Sequence, residues 1–310
     1  GEGTPETDVE SRTEITKKLS ENLTALKAML SNSSDLRVHS FRCGPGSGLS
    51  GVLVNIEGLV DNPTLTEAVL RPLRNWSGED DLVSPGRTLL DVLRLEVLNA
   101  ADVATARWLE ELASECLSGN TVLLLEDCPG GLVIHTKGWE HRPITEPQSE
   151  TVVRGPREGF TEDLRTNLSM IRRKIRSGRL HIEQLTVGRK TRTGVCLLYL
   201  DGVANPEVVK TVRSRIGRLD VDAILESGYL EEYIEDAPFS PFSTIGYSEK
   251  PDVVAARVLE GRVAIVVDGT PFVLTAPMLF IECFQTAEDY YNRPLYASLM
   301  RMLRYLAFLI

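Results

Sequence analysis

The sequence predicts an α/β fold of two tandem related subdomains, each a mixed sheet with helices, followed by a C-terminal membrane-proximal helix. Three observations carry this. Residues 252–275 read as a short helix and a hairpin: Val253, Ala256, Val258 and Leu259 form an apolar stripe, and residues 263–267 are a β-branched run. Asp268-Gly269 then tolerates positive φ, and residues 272–274 return as a strand. Upstream, Asp102-Val103, Ala106-Arg107 and Leu109-Glu110 match Asp252-Val253, Ala256-Arg257 and Leu259-Glu260 at one offset, with a second hairpin at residues 122–134. Finally, residues 36–38 and 52–58 align without a gap on residues 180–182 and 196–202.

Taken in order, residues 1–12 form a polar tail, 13–137 the first subdomain, 138–160 a linker, 161–277 the second subdomain and 278–310 a membrane-proximal helical tail. Leu19, Leu23, Leu26 and Leu30 have the spacing of Leu164, Leu168, Ile171 and Ile175, a core-facing stripe at helical period. Two strands follow in each half. Glu57-Gly58 and Asp201-Gly202 then lead into Asn62-Pro63 and Asn205-Pro206, where Asn suits a helix N-cap and Pro a first helical position. The unit reads as helix, two strands, helix, edge strand, helix, hairpin. Two copies make two related domains rather than a solenoid.

Residues 74–92 read as an exposed insertion of the first subdomain, punctuated by Gly and Pro. The linker holds Pro143, Pro147 and Pro156, which favour extended backbone. Thr161 is the expected N-cap of the next helix, with Glu162 and Asp163 in its first turn and Gly178 at its end. Residues 237–243 form a proline-punctuated loop bearing Phe239 and Phe242, suited to cover a core edge or dock a partner. Residues 294–310 are apolar with Arg301 and Arg304 among them; they fall short of the about 20 apolar residues that span a bilayer. They fit an interfacial helix or the entry to a span further on.

At 310 residues the chain accommodates two domains of about 120 to 130 residues, each able to bury a core without disulfides. Five cysteines, an odd number with no CxxC, point to a reducing compartment, and no signal peptide is read at the start. A formal net charge of −10 argues against a nucleic-acid partner. Basic residues nevertheless outnumber acidic ones across residues 154–192. This suits an acidic partner or an anionic lipid surface; the plainer account is a solvated helix face with cations near its C-terminus. Arg154, Arg157, Glu158, Arg172, Arg173, Phe239 and Phe242 are the candidate partner contacts.

Chemistry is sparse. Gly46-Ser-Gly48-Leu-Ser-Gly51 has the letters of a dinucleotide motif but joins strand to strand, where no helix N-terminus faces a pyrophosphate. His39, His135, His141 and His181 lack metal-ligand spacing, and Cys128 beside Pro129 reads as a turn residue. Glu57 and Asp201 occupy equivalent turns, where bonding to turn amides accounts for both. Arg107 and Arg257 are likewise expected to fasten helices. No catalytic residue, cofactor or metal is assigned.

Residues 150–167, 257–274 and 284–291, the last reading Phe-Gln-Thr-Ala-Glu-Asp-Tyr-Tyr, resemble the A subunit of GerA-type spore germinant receptors. The resemblance is dense over residues 140–310 and loose before them. It implies a region on the cytoplasmic, spore-core side of the inner spore membrane, preceding transmembrane helices. It also implies B and C subunits as partners, self-association of A subunits, and subdomains like the substrate-binding proteins of ABC transporters. The function expected is non-enzymatic signalling and assembly that couples nutrient sensing to ion release. The alternative is a small-molecule binding module using an interdomain cleft.

Overall fold

The computed structural model describes residues 12–43, 49–76, 88–100, 102–138, 158–223, 227–234, 244–278 and 302–303. The chain separates into two compact units, one of Gly1–Leu30 with Leu36–Gly138 and one of Ser31–Asp35 with Trp139–Ile310. Unit 1 runs α1 (Leu19–Met29), β1 (Leu36–Arg42), β2 (Ser50–Ile56), α2 (Asn62–Thr64), a π-helical segment (Leu65–Leu70) and α3 (Arg71–Asn75). It continues with α4 (Leu89–Val92), a second π-helical segment (Leu93–Val97), β3 (Val103–Ala106), α5 (Leu109–Leu117), β4 (Thr121–Leu125) and β5 (Gly131–Ile134). Unit 2 runs α6 (Leu164–Lys174), β6 (Leu180–Val187), β7 (Thr193–Leu200), α7 (Pro206–Gly217) and α8 (Ser227–Ile234). It ends with β8 (Gly246–Ser248), α9 (Pro251–Leu259), β9 (Val263–Val267) and β10 (Val273–Ala276).

Each unit holds a five-stranded sheet, ordered β1-β2-β4-β5-β3 in one and β6-β7-β9-β10-β8 in the other. The α/β architecture and its tandem repetition are as expected, and the sheets expected to be mixed pair antiparallel throughout. The registers coincide. One shift carries the pair Leu36–Ile56 onto Leu180–Leu200. A second carries Ala106–Gly131 onto Ser248–Val273 and Ala104–Val133 onto Gly246–Thr275.

The central strands are apolar along their length because both faces are covered. In β4, Val122 and Leu124 enter the core beneath α1 and α5, with Leu26, Leu109, Leu112 and Cys116. Leu123 and Leu125 enter the opposite core, with Leu65, Val69, Leu73 and Leu93. In β9, Ala264 and Val266 pack under α6 and α9, whereas Val263, Ile265 and Val267 pack under α7 and α8. Alternation along a doubly covered strand divides its side chains between two cores.

The entry to the first helix of each unit is held by one buried asparagine. Asn22 Oδ1 accepts from the Thr16 backbone N–H at 2.9 Å and Thr16 Oγ1 at 3.2 Å, while its Nδ2 donates to the Thr16 carbonyl at 2.7 Å. Asn167 makes the same three bonds to Thr161, at 2.8, 3.3 and 2.6 Å. Two glycines repeat as well. Gly119 (φ +95) and Gly261 (φ +96) follow α5 and α9, and a Cβ on either would stand 2.9 Å from a carbonyl oxygen, that of Leu59 or Val203. Both conformation and space exclude a side chain there.

Several local readings are corrected. Residues 103–106 are an edge strand, so the helix equivalent to α9 is α5, and Arg257 corresponds to Glu115 rather than Arg107. Asp61, not Asn62, caps α2, its Oδ2 accepting from the Thr64 N–H at 2.9 Å; it stands at the position of Asn205, which caps α7. Asp163 caps α6, because Thr161 is engaged by Asn167, and α6 ends at Lys174 rather than Gly178. The ends of the insertion expected over residues 74–92 are helical: Arg74 lies in α3, and Thr88 caps α4, whose Leu90 and Val92 are buried. Residues 77–87 lie outside the described residues.

Within unit 2, Arg172 on α6 is 2% exposed. Its Nε and Nη2 donate to the two carboxylate oxygens of Asp35, each at 2.9 Å. Nη2 also donates to Ser33 Oγ, and Nη1 to the carbonyls of Ser177 and Leu180. Removing one partner of a buried pair leaves an uncompensated charge, so Arg172→Met should cost about 3 to 5 kcal/mol in urea unfolding. Arg172→Met with Asp35→Leu should recover much of that loss; equal losses in single and double variants would contradict it. Asn167→Ala should cost about 2 kcal/mol by leaving buried backbone groups unpaired, and Asn22→Ala a similar amount. Unchanged denaturation midpoints would refute the clasp.

Candidate functional site

Among the described residues, part of the basic run is taken up inside the protein or in ion pairs. Arg172 is interior. On the last turn of α6, Arg173 pairs with Glu158 at 2.9 Å, and Lys174 lies between Glu158 (3.2 Å) and Asp252, all four side chains largely covered. Further along, Arg189 meets Asp220 at 2.6 Å and Lys190 meets Asp222 at 2.8 Å. Carboxylates thus meet Arg172, Arg173, Lys174, Arg189 and Lys190, while Arg165, Arg176, Arg179 and Arg192 are exposed. Of the expected partner contacts, Arg172 is corrected to a core residue, and Glu158 and Arg173 form one ion-pair network. Arg154, Arg157, Phe239 and Phe242 lie outside the described residues.

The residues weighed for chemistry take up the following places. Ser50 to Ile56 is the strand after the glycine-rich loop, and Gly51 is required by packing: a Cβ would stand 2.7 Å from the Leu124 carbonyl oxygen and 2.8 Å from Phe41. Cys43, Cys116, Cys128 and Cys196 are buried thiols. Burial pushes the Cys43 thiol up to about 11 and raises those of Cys116 and Cys128, which keeps thiolate scarce. His181 Nδ1 lies 2.8 Å from the Ser31 carbonyl oxygen, inside unit 2. Among the described residues no three His, Cys, Asp or Glu side chains gather to hold a metal. Glu57 pairs with Arg37, and the Asp201 carbonyl, not its carboxylate, takes the Arg179 guanidinium. Arg107 pairs with Glu14 and stacks on Trp108, while Arg257 donates to Thr275 Oγ1. Both serve structure, at unrelated positions.

Two hollows stand out, one in each unit. In unit 2 an apolar one of about 220 Å³ lies between α7, α8 and β10, lined by Val208, Val212, Ile234, Ile245 and Pro277. In unit 1 a groove of about 460 Å³ runs along the β3–β5 edge beside α5. Ala104 and Ala106 leave it open, Glu111 and Glu115 project from α5, Asp102 and His135 stand at its end, and Asn120 lines it. The sequence gives little warning of this set. Only Glu111 and Glu115, four apart on one helix face, could have been paired in advance; the others meet through sheet register.

Comparison with known proteins places the chain. The family model described as Bacillus/Clostridium GerA spore germination protein matches residues 24–310. Spore germination protein KA of Bacillus subtilis is 40% identical over 296 residues, covering 96% of this chain and 54% of the relative. The Bacillus subtilis protein named uncharacterized membrane protein YfkQ is 40% identical over 292 residues, covering 94% of this chain and 55% of the relative. The chain therefore spans about half the length of these curated relatives. The crystal structure of the N-terminal domain of the A subunit of the Bacillus megaterium spore germinant receptor GerK3 superposes with a TM-score of 0.69 at 37% identity, covering 87% of this chain and 99% of that one. From its duplicated α/β units and its match along nearly the whole sequence, this chain belongs to the GerA family of spore germination proteins.

Proposed function

We propose that this chain is the signalling and assembly region of a germinant-receptor A subunit, working without chemistry of its own. The observation that carries this reading is the likeness to the A-subunit N-terminal domain of GerK3, which is covered almost end to end. In this reading the region lies on the cytoplasmic, spore-core side of the inner spore membrane. Residues 278–310 lead toward the bilayer, B and C subunits assemble with it, and A subunits associate with one another. It couples nutrient sensing elsewhere in the receptor to ion release.

The framework suits such a role. Each unit has a sheet covered on both faces, and the described thiols are buried away from reagents. No helix among the described residues is long and apolar enough to cross a membrane. A region of this kind transmits force through rigid elements and meets its partners at surface segments.

The proline-bearing linker that precedes Glu158 in sequence supplies the charged contacts to test, Arg154 and Arg157. In a full-length A subunit carrying this region, Arg154→Glu with Arg157→Glu should lower the receptor recovered from spore membranes and slow germination several-fold. Normal receptor levels together with normal germination would count against the assembly role.

A further inference from the structure

We propose that the unit 1 groove beside α5 is a binding site for a guanidinium group, because the two units differ there at matching positions. The shared register places Gly246, Thr275, Arg257 and Arg262 of unit 2 where unit 1 has Ala104, Val133, Glu115 and Asn120. In unit 2 this space is occupied by the chain itself. The Arg257 Nη1 donates to Thr275 Oγ1 at 2.9 Å and to the Tyr247 carbonyl at 3.4 Å, and it lies 3.1 Å from where a Cβ on Gly246 would be. Arg262 follows, its backbone N–H bonded to the Arg257 carbonyl as that of Asn120 is to Glu115.

In unit 1 both cations are replaced by acceptors and the space stays open, at about 460 Å³. Asp102, Glu111 and Glu115 line it, and no Lys or Arg stands among its described lining residues. The second observation is Asn120. It is only 5% exposed, its Nδ2 donates to Glu115 Oε2 at 2.5 Å, and its Oδ1 has no hydrogen-bond partner. A buried amide oxygen left unpaired beside a carboxylate is an unmet acceptor.

A guanidinium meets these demands together. Its planar fork of five donors engages a carboxylate bidentately and still has N–H groups for an amide oxygen, whereas an ammonium offers a compact point charge. The volume lies within the range of small-molecule sites. A free guanidinium compound and an arginine side chain presented by another protein share this chemistry. The inference stands apart from the assembly role proposed above: either can fail alone.

The test is titration of the ¹⁵N-labelled 310-residue chain with agmatine and, separately, with N-acetyl-arginine-methylamide, whose arginine is flanked by peptide groups as in a protein. Saturable shifts of the Asn120 side-chain amide signals are expected with at least one of them. Agmatine alone would indicate a free ligand, and tighter binding of the capped arginine an arginine from a partner. 1,5-Diaminopentane, which keeps agmatine's two charges with an ammonium in place of the guanidinium, should bind several-fold more weakly than agmatine. Glu115→Arg, which gives unit 1 the residue unit 2 carries there, should fill the groove and weaken binding at least tenfold while the remaining spectrum keeps its dispersion. Glu111→Gln with Glu115→Gln should also weaken it at least tenfold and serves where the first variant does not fold. Absence of shifts with both guanidinium compounds at about 10 mM, or binding undiminished in the folded variants, would overturn the proposal.

Discussion

A sheet that is apolar on both faces must be covered twice, and most of this architecture follows from that requirement. Strands β4 and β9 carry no exposed residue. Each therefore needs one helical layer against its even positions and another against its odd ones, and each unit supplies them in the same chain order. The covering helices must enter at a fixed angle and depth, which is where the buried asparagines act. By taking the N–H, hydroxyl and carbonyl of one threonine, Asn22 and Asn167 fix the extended segment that leads into α1 and α6. That segment then hydrogen-bonds onward: Ile15 N–H to the Arg107 carbonyl in unit 1, and Phe160 N–H to the Glu249 carbonyl in unit 2. A polar clasp inside an apolar layer is tolerated because each of its bonds has a partner.

The repetition was legible in the sequence where it depends on local pattern. Apolar stripes at helical period, β-branched runs and a turn pair such as Asp268-Gly269 need few distant partners to be read. Even Asn22 and Asn167 could be matched by type, although their shared threonine could not be inferred without the fold. What misled was a residue-by-residue match between 102–110 and 252–260. Its identities are coincidental, since residues 103–106 form an edge strand paired to β5. A four-residue edge strand of Val, Ala, Thr and Ala has little propensity of its own and exists because β5 offers a hydrogen-bonding edge. The caps were misplaced by one or two residues for a related reason: Asp61, Asn62, Thr161 and Asp163 are all good capping types, and only the geometry of the turn selects among them.

The functional surfaces were harder to read. The excess of cations over residues 154–192 is real in sequence, but Asp35, Asp252, Asp220 and Asp222, from outside that run, meet several of its members in space. Charge counted along a chain is a poor guide to surface potential when the neutralising carboxylates come from other elements. The acidic groove has the opposite history. Asp102, Glu111, Glu115, Asn120 and His135 look unremarkable in sequence, and β3, α5 and β5 bring them together.

The two units diverge in a consistent direction. Unit 2 takes cations into or against its frame: Arg172 in a buried ion pair, Arg257 over Gly246, and Arg262 beside it. The matching positions of unit 1 hold Lys27, Glu115 and Asn120. An interior guanidinium is costly to desolvate and gains specificity more readily than stability, so an arginine kept there must be fully bonded, as Arg172 is by Asp35, Ser33 and two carbonyls. The same backbone has thus been used in two ways. One copy fills this edge with an arginine of its own, while the other leaves an open groove and one unpaired amide oxygen, that of Asn120, at the corresponding edge. A duplicated fold separates stability from recognition by such substitutions, because the covered sheet that holds each unit together does not pass through the positions that changed.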